Sequence, residues 1–235
     1  ISYLIALAVS VVLPGVLKNE VAFSNLFLSH TFTNGPIWFL SALFFALQIV
    51  YLIRNIKNIV LQFVCSLMAS LLGFYWNSWF DWRLPMFWDS GLTAVFFVYI
   101  GMYIKNILLL VENRWICLVC GLIAFLLTFG FGRSAEMQMN VYEMTPIVYY
   151  ILAILGSLSI LFISKAITIN KFLQYVGKNS LIILCFHMFV VMAVCLIIKS
   201  FINTSLVIIV SFALSVLICI LIVPIIKRIF FFVFK

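Results

Sequence analysis

The chain has 235 residues, 67% of them hydrophobic and only 9% charged, with a formal net charge of +8. Soluble domains carry roughly 45–50% apolar and about 25% charged residues, so this surplus of apolar surface excludes a water-bathed globule and requires lipid as solvent. A spanning helix needs about 20 mostly apolar residues, and the unbroken runs found here exclude the short alternating segments of a membrane β-barrel.

In chain order the runs predict helices over Ile1–Leu17, Pro36–Ile53, Ile59–Tyr75, Gly91–Ile104, Trp115–Phe131, Ile147–Ser164, Ser180–Ile198 and Ser205–Ile226. The fourth lengthens if Leu84–Ser90 leads into it. Asn34-Gly35-Pro36 marks a helix start, and Pro224 is a kink that a membrane helix tolerates. The chain opens on Ile1 inside an apolar run without a basic flank, unlike a signal peptide, and further residues are expected ahead of it. The expected fold is an all-α, polytopic membrane helix bundle of about eight transmembrane helices, with 1–235 as a single membrane domain.

Loop charges give an orientation. Alternate connections collect Arg54, Lys57, Lys105, Arg114, Lys165, Lys171, Lys178, Lys227, Arg228 and Lys235 against the single acid Glu112. The other set holds Lys18, Arg83, Arg133 and Lys199 against Glu20, Asp81, Asp89, Glu136 and Glu143. Basic loops stay cytoplasmic, so both ends are expected inside. The basicity is thus a topology signal, and no nucleic-acid partner is expected. The cytoplasmic lysines and arginines either serve orientation and anionic lipid heads or grip the phosphates of a nucleotide-like donor.

Polar side chains within the apolar runs are the candidate functional residues. His187 lies nine residues past Lys178, roughly 13 Å into a hydrocarbon core about 30 Å thick. An ionisable group at that depth faces the bundle interior or a wet cavity. Ser180, seven residues earlier, shares its helical face. The pair either lines a cavity or hydrogen-bonds a neighbouring helix for packing alone. Trp38, Ser41, Phe45 and Gln48 form a second stripe expected to look inward, with Gln62 adding to the same interior. Interhelical hydrogen bonding is the competing account.

The connection Tyr75–Asp89 holds Trp76, Trp79, Trp82 and Trp88 around Asp81 and Asp89. It is either an interfacial aromatic belt or a platform that stacks sugar rings while the carboxylates bind hydroxyls. His30 is either a base or a solvated loop residue. Cys117 and Cys120 have C-x-x-C spacing, but no second pair or nearby histidine completes a metal or redox site. No metal is expected, and the cysteines read as small core residues.

The stretches GPIWFLSALFF, LQYVGKNSLIILCFHMFV and LTAVFFVYIGMYIKN together resemble the acyltransferase 3 family of integral membrane proteins. GPIWFLSALFF resembles its G-x-x-W-x-L element, on Gly35, Trp38 and Leu40. LQYVGKNSLIILCFHMFV resembles its late helix, with Gly177-Lys178-Asn179-Ser180 at the start and His187 seven residues past the Ser. LTAVFFVYIGMYIKN is similar to the family's aromatic run ending in Gly. The likeness covers most of the chain and is to the branch that decorates bacterial surface polysaccharides, including fucose 4-O-acetylase-like and intercellular-adhesin-modifying proteins.

The resemblance implies ten spans with both ends cytoplasmic, so this chain would be that plan lacking its first two. It implies O-acyltransferase activity in the bacterial cytoplasmic membrane. An acyl group, commonly acetyl, would pass from acetyl-CoA or a similar acyl-CoA to a hydroxyl of a surface polysaccharide or lipid-linked glycan, with no bound cofactor. The family's catalytic histidine, in its first helix, is expected upstream of Ile1, and the Arg-x-x-Arg motif is absent here. Leu43 stands where some relatives carry an acid five residues after the Trp. His187, Ser180, Asn179, Trp38, Ser41 and Gln48 are the candidates to line the substrate path, in support roles. The alternatives are a carrier or exporter of a lipid-linked glycan and a noncatalytic truncated homologue.

Overall fold

In the computed structural model, residues 37–167, 170–198 and 204–229 are described. The first predicted helix, Ile1–Leu17, and His30 lie outside them. Helices α1 (Ile37–Arg54), α2 (Ile59–Trp79), α3 (Trp88–Leu110), α4 (Arg114–Phe131), α5 (Pro146–Ala166), α6 (Lys171–Lys178), α7 (Ser180–Ile198) and α8 (Thr204–Ile229) follow in order. Among the described residues, five helices are long and apolar enough to cross a bilayer: α2, α3 with the turn before it, α4, α5 and most of α8. Seven of the eight predicted runs reach the described residues, and five of these meet helices of spanning length and composition, with α1 a shorter apolar helix.

The helix starts have local causes. Asn58, Asn113 and Asn170 each sit in extended backbone and accept from two amides of the first turn that follows, at 2.9 and 3.3–3.4 Å. Such caps satisfy donors that have no partner within the helix. Pro146 starts α5 at a position that needs no donor. One boundary differs from expectation. Helix α3 runs to Leu110, so Lys105 sits inside a helix and not in a connection. Ile107–Leu110 continue the apolar run, and the link to the Asn113 cap shrinks to three residues.

The chain divides into two compact units, one of which is Trp38–Ile169; the described part of the other is Ile37 with 170–198 and 204–229. In the first unit α2 packs on α3, and α4 on α5. Ala46, Val50 and Ile53 of α1 form one core with Val95 and Tyr99 of α3. A second core joins Phe74, Phe96, Tyr149 and Tyr150 from α2, α3 and α5. Lipid offers no hydrophobic drive between helices, so close packing and polar bonds hold them. A Cβ on Gly91 would stand 2.8 Å from the Ala42 carbonyl oxygen, which shows how tightly α1 meets α3. Ser70 donates to the Thr93 carbonyl at 2.6 Å, and Tyr150 donates to the Ser70 carbonyl at 2.9 Å. Three helices are thereby tied through buried hydroxyls. In the other unit α7 packs on α8 through Ile182, Val223 and Ile226.

Two strands of two residues each, β1 (Ala135–Glu136) and β2 (Val141–Tyr142), form a small antiparallel hairpin between α4 and α5. The all-α expectation did not include it. It sits at the same end of the unit as the α2–α3 connection. Arg54, Lys57, Arg114 and Lys165 mark the opposite end, where α1 and α5 finish and α2 and α4 begin.

Candidate functional site

The site is built where the α2–α3 connection meets the hairpin. Trp76 Nε1 donates to the Trp82 carbonyl at 3.0 Å, folding the chain back over the end of α2. Arg83 follows and is turned inward. Its Nε lies 2.7 Å from Asp89 Oδ2, and its Nη2 reaches the same oxygen at 2.5 Å. The Arg83 side chain is 13% exposed and that of Asp89 0%. Nη2 also donates to Ser90 Oγ at 3.1 Å and to the Gln138 carbonyl at 2.7 Å. The guanidinium lies 5.4 Å from the centre of the Phe87 ring, a favourable place for a cation.

The hairpin is held from a second side. Asn140 is 4% exposed. It donates to Asp89 Oδ2 at 3.1 Å and accepts from Thr93 Oγ1 at 3.1 Å and from the Tyr142 hydroxyl at 3.0 Å. Burial pushes the Tyr142 phenol well above its ordinary pKa, with the neighbouring Tyr149 adding to the rise. The phenol is therefore a neutral donor. Asp89 Oδ1 is buried without a hydrogen-bond partner among the described residues.

Three described non-glycine residues have left-handed backbone: Met86 (φ 55°), Phe87 (φ 61°) and Asn140 (φ 51°). All three adjoin this network. Such conformations cost of order 1–3 kcal/mol each and persist where surroundings over-determine them. Asn tolerates the region best, through its short polar side chain.

Beside the network opens a cleft of about 850 Å³. Phe74 and Tyr142, both in its lining, stack with ring centres 4.1 Å apart and planes 11° from parallel. Asn77, Ser78, Arg133, Glu143 and Thr145 supply polar groups around it. The cleft thus combines an apolar aromatic surface with a few convergent donors and acceptors, the usual make-up of a small-molecule site.

The sequence candidates are placed as follows. Trp38 is half-buried, with its ring 6.1 Å from that of Phe87. Ser41 is half-buried and Gln48 exposed. The buried face of α1 is Ala42, Ala46, Val50 and Ile53, so the inward stripe is rotated by about one residue from the expected one. Gln48 instead lines a hollow with Tyr51 and Arg54. Gln62 closes the α1–α2 turn by donating to the Ile56 carbonyl at 2.7 Å.

In the other unit, Asn179 is 2% exposed, caps α6 and donates to the Tyr175 carbonyl at 2.6 Å. Ser180 is exposed at the start of α7. His187 is half-buried, and its Nδ1 donates within its own helix to the carbonyls of Ile183 (3.1 Å) and Leu184 (2.9 Å). That pairing lies within α7 and does not reach across to a neighbouring helix, the packing alternative of the two readings of His187. Of the two readings of the Trp-rich connection, the sugar platform loses Asp89, which is fully buried and bonded inside the protein. Asp81, Trp79 and Trp82 are exposed. Arg83, Asn140 and Tyr142 were not singled out as site residues. The one usable signal was a lone arginine in an otherwise acidic connection.

No curated protein and no solved structure matches the chain. A family model for an acyltransferase domain, that of the acyltransferase 3 family, matches residues 1–224. That match spans nearly the whole sequence, the described helices of spanning length and the network at their end, and the chain therefore belongs to the acyltransferase 3 family.

Proposed function

We propose that this chain transfers an acetyl group from acetyl-CoA to a hydroxyl of a bacterial surface carbohydrate, within the cytoplasmic membrane. The observation that carries the reading is the placement of the 850 Å³ cleft at the end of the unit opposite Arg54, Lys57, Arg114 and Lys165. Basic ends stay cytoplasmic, which turns the cleft outward, toward surface glycans, and leaves the basic side for a donor made inside. Arg133 and Glu143 oppose each other in sign, so the cleft favours a neutral polyhydroxylated acceptor. Aromatic faces and amide or hydroxyl groups suit its ring faces and rim.

In the transfer, the acceptor hydroxyl oxygen attacks the thioester carbonyl carbon. A C–O bond forms, the C–S bond breaks, and the hydroxyl proton passes through a general base to the departing thiolate, giving CoA-SH. A histidine suits that base near neutral pH. His187 has a support role on the acyl path; its Nε2 has no hydrogen-bond partner among the described residues.

The test is radiolabelled acetyl-CoA added to the full-length protein in liposomes with a neutral glycan acceptor. Asn77→Ala and Glu143→Gln are expected to raise the acceptor KM about tenfold, and His187→Ala to lower acceptor acylation while membrane insertion persists. Label that never reaches the glycan, or cleft variants with a wild-type acceptor KM, would refute the proposal. Full activity in His187→Ala would remove that residue from the path.

A further inference from the structure

Asp89 and Arg83 are an unusual choice if the end of α3 needs only stability. Replacing a buried ion pair by well-packed apolar residues is often neutral or stabilising. This pair also leaves Asp89 Oδ1 without a partner among the described residues, a loss that a site selected for stability alone would avoid. What the pair does uniquely is geometric. The Arg83 fork reaches Asp89, Ser90 and the Gln138 carbonyl together, and Ser90 Oγ donates to the same carbonyl at 3.0 Å. Asp89 Oδ2 receives Asn140 from the other flank of the hairpin turn. The turn is gripped on both sides, and Asn140 to Pro146, running out of it, form one wall of the cleft.

Resting on the acceptor reading above, we infer that Arg83 and Asp89 are positioning residues: a buried clamp that docks the 135–142 hairpin on the start of α3 and so sets the width of the acceptor cleft. The three left-handed residues fit this role, because backbone strain concentrates where surroundings impose a geometry. Neither side chain touches the acceptor. Both act through Gln138, Asn140 and Tyr142. A lysine at 83 keeps the charge but has no planar fork to reach three acceptors at once.

The test uses Arg83→Lys and the neutral pair Arg83→Gln/Asp89→Asn, each in the full chain in liposomes. One readout is the acceptor KM against kcat and donor KM. The other is amide hydrogen exchange of 135–145 against 147–160, which needs no substrate. The clamp predicts a roughly tenfold higher acceptor KM, kcat and donor KM within about threefold, and hairpin exchange at least tenfold faster with α5 still protected. Wild-type hairpin exchange in both variants would overturn it. So would loss of protection in α5 together with the hairpin in both, since that marks a merely structural pair. Faster hairpin exchange with an unchanged acceptor KM would overturn the link to the cleft. If wild-type protein acylates no glycan, the acceptor reading fails, and the exchange arm still decides whether the hairpin is clamped.

Discussion

Gly73 offers the sharpest test of how α2 meets α3. A Cβ added there would stand 2.7 Å from Thr93 Oγ1 and 2.8 Å from the Asp89 carbonyl oxygen, and nearer still to the Thr93 backbone nitrogen. Ordinary contact begins at 3.4 Å, and two of these neighbours are backbone atoms that no rotamer change can move. In Gly73→Ala the helices must part by about 1 Å, since overlapping atoms are repelled steeply at such distances. The Ser70 Oγ to Thr93 carbonyl bond, now 2.6 Å, would then stretch past hydrogen-bonding range. Overpacking costs about 1–3 kcal/mol and a lost buried hydrogen bond about 1–3 kcal/mol. The better helix propensity of Ala offsets about 1 kcal/mol. The net expectation is destabilisation by about 3 kcal/mol, within about 1–5. Gly101 is the control, because a Cβ there meets nothing within 4 Å. Unfolding in mixed micelles, followed by circular dichroism, should rank Gly101→Ala at or above wild type and Gly73→Ala well below. Adding Ser70→Ala should then cost less in Gly73→Ala than in wild type, because the bond is already broken. Equal stability of the two glycine variants, or strict additivity of the double variant, would refute the close-approach account.

Two further outcomes follow from local chemistry. Asn113→Ala removes the α4 cap and should lower stability by about 1 kcal/mol in the same assay, with Asn113→Asp losing far less; an Ala variant as stable as the Asp variant would remove the cap from the account. The raised pKa of Tyr142 means that its phenol is neutral in both folded and unfolded protein below about pH 10, so its contribution is whole there. As pH rises past about 10, the unfolded phenol ionises first and that contribution falls away. Wild type should therefore lose stability between about pH 10 and 11.5 more steeply than Tyr142→Phe, and parallel curves would contradict the assignment.

The helices were legible because lipid enforces long apolar runs. Ser180–Ile198 is the same in sequence and structure, and seven other ends fall within one residue of the expected ones. Which face of a helix turns inward was not legible, and α1 shows why. Lipid and core accept the same side chains, so Ala42 and Ala46 give no hint that they are buried while Gln48 is exposed. The end of α3 was missed for another reason. Its apolar residues beyond Ile104 look like a loop only if Lys105 is assumed to need one.

The candidate site was harder to see. Asp89 reads as a surface acid in a Trp-rich loop, and its burial depends on Arg83 six residues before it and Asn140 fifty-one residues after it. Only the folded chain brings these together. Conversely, the helix containing His187 was readable, but the proton on Nδ1 is engaged by the carbonyls three and four residues back, a choice among rotamers that sequence does not encode.

The bond between Ser70 and Tyr150 also bears on the order in which this protein is made. The two residues are 80 positions apart, so at about 5–20 residues per second Tyr150 is synthesised about 4–16 s after Ser70. During that interval the Ser70 hydroxyl already has its acceptor in the Thr93 carbonyl, 23 residues on, and only the Tyr150 hydroxyl that donates to Ser70 is still missing. Arg83 and Asp89, only six residues apart, can pair almost as soon as both exist. The nascent α2–α3 hairpin therefore waits in the bilayer with its salt bridge and its Ser70–Thr93 bond made, and the arrival of Tyr150 on α5 adds the third helix to that seam.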